Sequence, residues 1–440
     1  MPVRSLFGDF QFLIMPTPSL LIVPARFKSG KLYSQIPTSG AGDFTVTRAT
    51  TATRVNASGY IESVSSGIPR LDYFASTGVV GCPALLVEPS GSNLALQSEN
   101  FLTTWLQANL VITTGYTSPF NNTNGTLIEA NSSTARLRQT IAAITSGTTH
   151  TFSLFAQAGN LALASGVSLT IQEGTATNYA SGVVQSFRLD TGTLGASGTL
   201  GAGFTLTRAS IENYGNGWYR CNMTVTVSYT PASANISIRP TSAIASNLPA
   251  TVSGGSAYIW GAQLETGSVA TSYIPTTTGS VTRNADLIFT SGAVSGAIGQ
   301  TQGTIYAEVD IKNLTNGTRI FAISDGTQAN RIALLFNTTN RIRLLATVTS
   351  ATQADINTAT NQPAGIYKIA VAYALNDYAL YINGEQIGTD ATALVPACSS
   401  VFLGTLETGS GLSSLNDRIR VAALYTTRLT NAELAALTSP

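Results

Sequence analysis

The dipeptide Asn383-Gly384 falls between two extended runs, Tyr378-Ala-Leu-Tyr-Ile382 and Glu385-Gln-Ile-Gly388, and so predicts a two-residue β-hairpin. Both central positions of that turn need φ > 0, which asparagine and glycine tolerate. The run before it, Lys368-Ile-Ala-Val-Ala-Tyr373, alternates Ile369, Val371 and Tyr373 on one face, the period of a half-buried strand. Similar runs recur between Gly, Ser and Asn clusters: His150-Thr-Phe-Ser-Leu-Phe, Val167-Ser-Leu-Thr-Ile, Trp218-Tyr-Arg-Cys-Asn-Met-Thr-Val, Asn235-Ile-Ser-Ile-Arg and Ala257-Tyr-Ile-Trp-Gly-Ala-Gln-Leu. One helix is expected, residues 431–437, because Thr430 and Glu433 form a capping box. The fold class that follows is all-β, built from sandwiches.

The surface this composition makes is neutral. Charged residues are 10% of the 440, against roughly 25% in an ordinary soluble protein, and the formal net charge is +1. Only Lys28, Lys31, Lys312 and Lys368 are lysines, and the arginines are scattered. No basic footprint exists for a polyanion, so nucleic acid is not an expected partner. Cys82, Cys221 and Cys398 are far apart and odd in number, which predicts buried reduced thiols rather than a disulfide or metal frame.

Five segments divide the chain. Residues 1–43 read as an extended arm, since Pro16, Pro18, Pro24 and Pro37 bar long helices. Its apolar residues, Phe10, Phe12, Leu13, Ile14, Leu20, Leu21 and Ile22, predict docking onto a partner or sister subunit. Asp9, Gln11, Pro16 and Pro18 interrupt the apolar run, so neither a signal peptide nor membrane insertion is expected. Residues 44–100 form a β-rich collar module, 101–276 a jelly-roll sandwich, 277–302 a Gly/Ser/Thr-rich linker with one strand near Ala285–Phe289, and 303–440 a second jelly-roll sandwich.

The collar carries Thr47-Arg48-Ala49, Ala52-Thr53-Arg54-Val55, Gly59-Tyr60-Ile61-Glu62, Pro69-Arg70-Leu71-Asp72-Tyr73, Leu85-Leu86-Val87-Glu88-Pro89 and Asn93-Leu94. Together these resemble a module of bacteriophage tail and head fibre proteins. Asn216-Gly-Trp-Tyr-Arg220, Ile259-Trp-Gly-Ala-Gln-Leu-Glu265 and Ala270-Thr-Ser-Tyr-Ile-Pro-Thr276 match the same proteins, where the region looks like a carbohydrate-binding module. The stretch Pro24–Tyr33 resembles the lead-in of a subset from phages of gut Bacteroides, which implies a virion-attachment role for Phe27, Lys28, Lys31 and Tyr33. The last third, with its Tyr-x-Leu-Tyr-x-Asn-Gly hairpin and closing Leu-Thr-x-x-Glu, resembles the concanavalin-like (laminin-G-like) jelly roll. The collar's charges (Arg48, Arg54, Arg70, Asp72, Glu88) are spaced singly, as if to pair within or between subunits.

Residues suited to catalysis are few. His150, the only histidine, sits on the face of Phe152 and Leu154 and reads as an edge or capping residue of a strand. Glycoside hydrolysis needs two opposed carboxylates, and the nearest approach, Glu308 and Asp310 on one strand face, reads as a solvated outer face. Calcium is conceivable at the loop acids Asp325 and Asp417, though turn formation explains both. Trp105, Trp218 and Trp260 are candidate sugar platforms; Tyr258, Trp260, Ala262 and Leu264 share one strand face, as core residues do. Trp218 and Tyr219 point to opposite faces, so one is nearer solvent, and this pair is the candidate glycan site.

The resemblance implies a non-enzymatic virion protein assembled in the bacterial cytoplasm: a fibre or spike subunit, homotrimeric, attached to other virion proteins through its arm. It would use no cofactor and adhere to host-surface glycans. The alternatives are a glycan-cleaving tailspike, a structural virion component without receptor binding, and a bacterial surface adhesin.

Overall fold

The computed structural model describes residues 16–75, 78–141, 144–159, 166–174, 181–241, 253–292, 294–312, 317–411 and 413–440. It is nearly all-β, 54% strand and 3% helix, as the alternation requires. Every strand pairing among the described residues is antiparallel; four sheets form two sandwiches, and two two-stranded ribbons, Ala52–Val55 with Ile61–Val64 and Gly91–Asn93 with Val281–Arg283, lie beside them.

The concanavalin-like sandwich draws on both ends of the chain. Its eight-stranded sheet runs Glu385–Asp390, Asp377–Ile382, Gly365–Ala374, Gln302–Ile311, Asp417–Tyr425, Gly78–Val87 and Leu71–Ala75, with Leu20–Ile22 also on Asp417–Tyr425. Its nine-stranded sheet runs Phe27–Lys28, Lys31–Leu32, Phe44–Thr47, Leu287–Ser291, Ser400–Leu403, Arg319–Ser324, Arg331–Phe336, Ile342–Val348 and Ala351–Asn357. One apolar core joins Leu20, Ile22, Leu32, Phe44 and Val46 to Ile305, Ile332, Val371 and Leu424. The Asn383-Gly384 turn has φ of 49° and 86°, and the Thr430 capping box starts the helix Asn431–Thr438.

These pairings correct the expected arm. Leu20, Leu21 and Ile22 pair with Leu424, Ala423 and Ala422, and Phe27–Lys28 with Lys31–Leu32 forms a hairpin on Phe44–Thr47. The physical reason is burial: a fully covered Leu or Ile gains roughly 1.5–3 kcal/mol, and this sheet offers it within the same chain. Phe10, Phe12, Leu13 and Ile14 lie outside the described residues. The expected linker likewise supplies Leu287–Ser291 to the middle of the nine-stranded sheet.

The second sandwich is inserted between these flanks. Its sheets run Leu106–Ala108, Arg136–Ile141, Ala234–Thr241, Gly166–Glu173, Gly182–Arg188, Thr193–Leu200, and Leu110–Tyr116, Gly125–Ala130, Ser256–Thr266, Thr149–Ala158, Trp218–Val227, Phe204–Gly215. Entry and exit are stitched together by Gly91–Asn93 against Val281–Arg283. His150 belongs to the strand between Trp218–Val227 and Ser256–Thr266, so it is interior and not at an edge; burial lowers its pKa, and Nε2 lies 2.9 Å from Thr148 Oγ1.

A bulge in Ser256–Thr266 also departs from expectation. Gly261, at φ 64°, is the extra residue opposite Ser153–Phe155. It reverses the faces, so Ala257, Ile259, Ala262 and Leu264 enter the sandwich core. Trp260 instead leaves by the outer face.

Candidate functional site: the joint between the sandwiches

The outer face carrying Trp260 meets the collar. Phe155, Tyr214, Trp218, Trp260 and Tyr273 pack there against Val55, Ile61 and Phe74. Phe74 stacks on Tyr214 at 4.2 Å between ring centroids, and Trp260 lies 4.4 Å from Tyr273.

Beside the rings lies a buried ion-pair network built from the single charges of the collar motifs. Arg48 Nη1 donates to Asp286 Oδ1 at 2.8 Å and to the Ile68 carbonyl, while Nε and Nη2 reach the carbonyls of Thr50 and Ser65. Arg70 donates to Glu88 Oε2 at 2.6 Å and also to Asp286. Arg283 adds a third cation, 3.4 Å from Glu88. Glu88 further accepts from the Ser272 backbone and hydroxyl, both at 2.7 Å. Asp72 ties the collar hairpin Ala52–Val55/Ile61–Val64 to the eight-stranded sheet: Oδ1 accepts from Val55 N, and Oδ2 accepts from Arg418 Nε, both at 2.6 Å.

The charge balance sets the protonation states. Burial alone would raise Glu88, but the Arg70 and Arg283 guanidiniums outweigh it and hold its carboxyl well below the usual carboxylate range. Burial likewise opposes the Arg70 charge, and Asp286 with Glu88 overrides it, pushing its pKa up. At Arg48 and Arg283 burial prevails and the pKa is lowered. Removing one partner from such a network strands a buried charge.

The collar charges therefore pair within the chain. Sequence reasoning missed Arg283 and Asp286, which sit in the segment assigned as linker. Their only signal was that they are the two charged residues in a Gly/Ser/Thr-rich stretch.

The expected site residues are placed as follows. Trp218 is 4% exposed inside the aromatic cluster, so its ring offers no open platform to a sugar, which corrects that assignment. Tyr219 is half-buried on the opposite face, against the core of the inserted sandwich. Trp105 is buried and donates toward the Leu96 and Gln97 carbonyls. In the N-terminal hairpin Lys28 is exposed, Lys31 lies 3.9 Å from Asp43, and Tyr33 is half-buried under the Arg26 guanidinium. Phe27 is half-buried against the core, with Arg54 above its ring.

The acids singled out for chemistry do not form an opposed pair. Glu308 contacts Arg420 at 3.0 Å, and Asp310 is buried, which corrects the solvated face expected of it. Asp325 closes a turn with Thr327 and Asn330, while buried Asp417 accepts from Lys312 N at 3.0 Å. Among the described residues no group of three His, Cys, Asp or Glu side chains is placed to hold a metal ion. Cys221 and Cys398 are buried, and burial pushes the Cys398 thiol up to about 12; Cys82 is exposed, contrary to expectation.

One open pocket borders the joint. It holds about 270 Å³ between Thr50–Thr53, Ser63, Tyr273–Pro275 and Val281–Arg283. Thr51, Ser63 and Thr282 are exposed at it, so its rim is rich in hydroxyls, and no carboxylate lines it. The hydroxyls of such a rim suit hydrogen bonding to a neutral polar group.

Residues 275–435 match a protein family described as the concanavalin A-like lectin/glucanases superfamily (Laminin_G_3). The strands at residues 20–47 and 71–87 complete this sandwich from outside the matched range. No curated protein matches the chain. Solved structures with a similar fold include the CBM40 of the Ruminococcus gnavus IT-sialidase, at 20% identity over 34% of this chain and 88% of that one, TM-score 0.30. Domain 4 of AbnA, a GH43 arabinanase of Geobacillus stearothermophilus, is 18% identical over 39% and 82%, TM-score 0.30. The SAP-like pentraxin of Limulus polyphemus is 16% identical over 31% and 70%, TM-score 0.25. By the family match, the C-terminal domain of this chain is a concanavalin-like β-sandwich.

Proposed function

We propose that this protein is a non-enzymatic structural subunit of a phage fibre or spike, displaying two fused sandwiches that adhere to host-surface glycans. The observation that carries the adhesive part is the lectin-type C-terminal sandwich, whose family match spans residues 275–435. The phage setting is supported by the collar motifs, whose charged residues form the joint. On this reading the joint holds both sandwiches in one orientation, so weak glycan contacts on many copies add by avidity. The hydroxyl-rimmed pocket beside Tyr273 is the glycan site, and the N-terminal segment faces the other virion proteins. No cofactor is required.

A glycan array probed with the full chain tests adhesion. Binding to at least one bacterial polysaccharide, without release of reducing ends, is expected. Silence across the array overturns the adhesive role, and release of reducing ends overturns the non-enzymatic one.

A further inference from the structure

We infer that copies of this chain join through the inserted sandwich, the strand Leu110–Tyr116 of one copy pairing with Thr193–Leu200 of the next. Among the described residues each of these strands ends its own six-stranded sheet. An end strand presents a row of unpaired N–H and C=O groups, and proteins that stay apart guard such rows with charge, proline or cover.

The two sandwiches differ in this respect. End strands of the concanavalin-like sandwich carry Lys28, Asp355, Glu385 and Asp390. In the inserted sandwich the end strand Phe204–Gly215 carries Arg208 and Glu212 and is tied to Lys312, 2.6 Å from Glu212. Leu110–Tyr116 and Thr193–Leu200 have neither charge nor proline. No charged residue occurs from Phe101 to Ile128, or from Thr191 to Thr207. Apolar side chains stand exposed on both: Val111 is 47% exposed and Leu194 46%, with Leu106 at 55% next to the first.

The partner is identified by what the two strands share. An uncharged edge offers nothing to select a charged peptide, and the inserted sandwich carries such edges on opposite sides, Leu106–Ala108 and Leu110–Tyr116 on one and Thr193–Leu200 on the other. Main-chain hydrogen bonding with small and β-branched side chains interleaving fits one to the other. Because the two surfaces are different, the contact is head-to-tail and generates a closed ring or a filament, not a two-fold pair. The contact between copies rests on the proposed fibre role only in that a fibre repeats its subunit; it is independent of glycan binding.

The test uses the full chain with Cys82→Ser, which removes the exposed thiol. Light scattering gives the mass of this protein and of Val111→Lys/Thr113→Lys, and separately Val111→Cys and Leu194→Cys preparations are mixed and oxidised. Expected are a multimer for the parent, a single-copy mass for the lysine variant at an unchanged melting temperature, and a disulfide joining the two cysteine variants to each other. A monomeric parent, a multimer indifferent to the lysines, or Val111→Cys coupling only to itself overturns the proposal. Glycan binding by a monomeric parent would sink the contact between copies and leave the adhesive role standing.

Discussion

Arg70 and Asp286 are 216 residues apart in the chain and form an ion pair with no exposure to solvent on the arginine side. The whole inserted sandwich lies between them, so the pair closes its base. Asp286 also holds Arg48, and its loss leaves two buried guanidiniums short of a partner. Asp286→Ala is expected to cost about 3–5 kcal/mol, the range for breaking a buried pair. Urea denaturation checks this. A change under about 1 kcal/mol would mean that the network is incidental to folding.

The acid limb of the stability curve follows from Glu88. Its folded-state pKa lies below the ordinary value of 4.5, so the unfolded chain takes up the proton first as pH falls. The stability it contributes is complete above the unfolded value and is lost as pH drops through the folded one. Glu265 has the opposite sign: burial raises its pKa, so protonation in the folded state adds stability as pH falls from neutrality. Chemical denaturation from pH 7 to 3 should therefore show Glu88→Gln less stable at pH 7 and flatter below pH 4.5. A parent curve already flat there would refute the assignment.

Legibility in the sequence divided along the range of the interactions. The hairpin at Asn383-Gly384 and the helix after Thr430 were readable because each is decided within a few residues. That the collar charges make pairs was readable from their single spacing, but not their partners, because Asp286 and Arg418 are distant in sequence and brought close only by folding. The N-terminal strands looked like an arm for the same reason: Leu20 and Ile22 display their apolar pattern, and nothing local names Ala422–Leu424 as the receiving strand. The face of Trp260 was misread because one glycine in the left-handed region shifts a two-residue period by one.

Gly261 is accordingly a position where only glycine serves. An added Cβ would lie 3.0 Å from Phe155 Cδ2 and 3.2 Å from Tyr273 Cε2, at a φ of 64°. The left-handed backbone alone costs a side chain roughly 1–2 kcal/mol, and the rings of the joint block relaxation. Gly261→Ala should lower stability by about 2 kcal/mol or more. Thermal unfolding with no change would show that the bulge yields.

Trp218 and Tyr219 separate a structural role from a binding one. Trp218 fills the aromatic cluster, so Trp218→Ala should cost about 3–5 kcal/mol, the range for deleting a buried Trp or Phe. Tyr219→Ala, half-buried on the other face, should cost less. If Trp218→Ala kept its melting temperature and lost glycan binding, the ring would be a sugar platform after all.

The pocket beside Tyr273 gives the most direct test of where a glycan sits. Ser63 is exposed at its rim, with space of about 270 Å³ in front of it. An indole placed there by Ser63→Trp occupies that space; of the buried network only Arg283 lines it, and Arg70, Glu88 and Asp286 do not. Stability should stay within about 0.5 kcal/mol, as for surface substitutions elsewhere. Affinity for whichever polysaccharide the parent binds should fall at least about tenfold, equivalent to about 1.4 kcal/mol. Titration calorimetry on both proteins reads the affinity, and urea denaturation reads the stability. Undiminished affinity in a stably folded Ser63→Trp protein would move the glycan site away from this pocket.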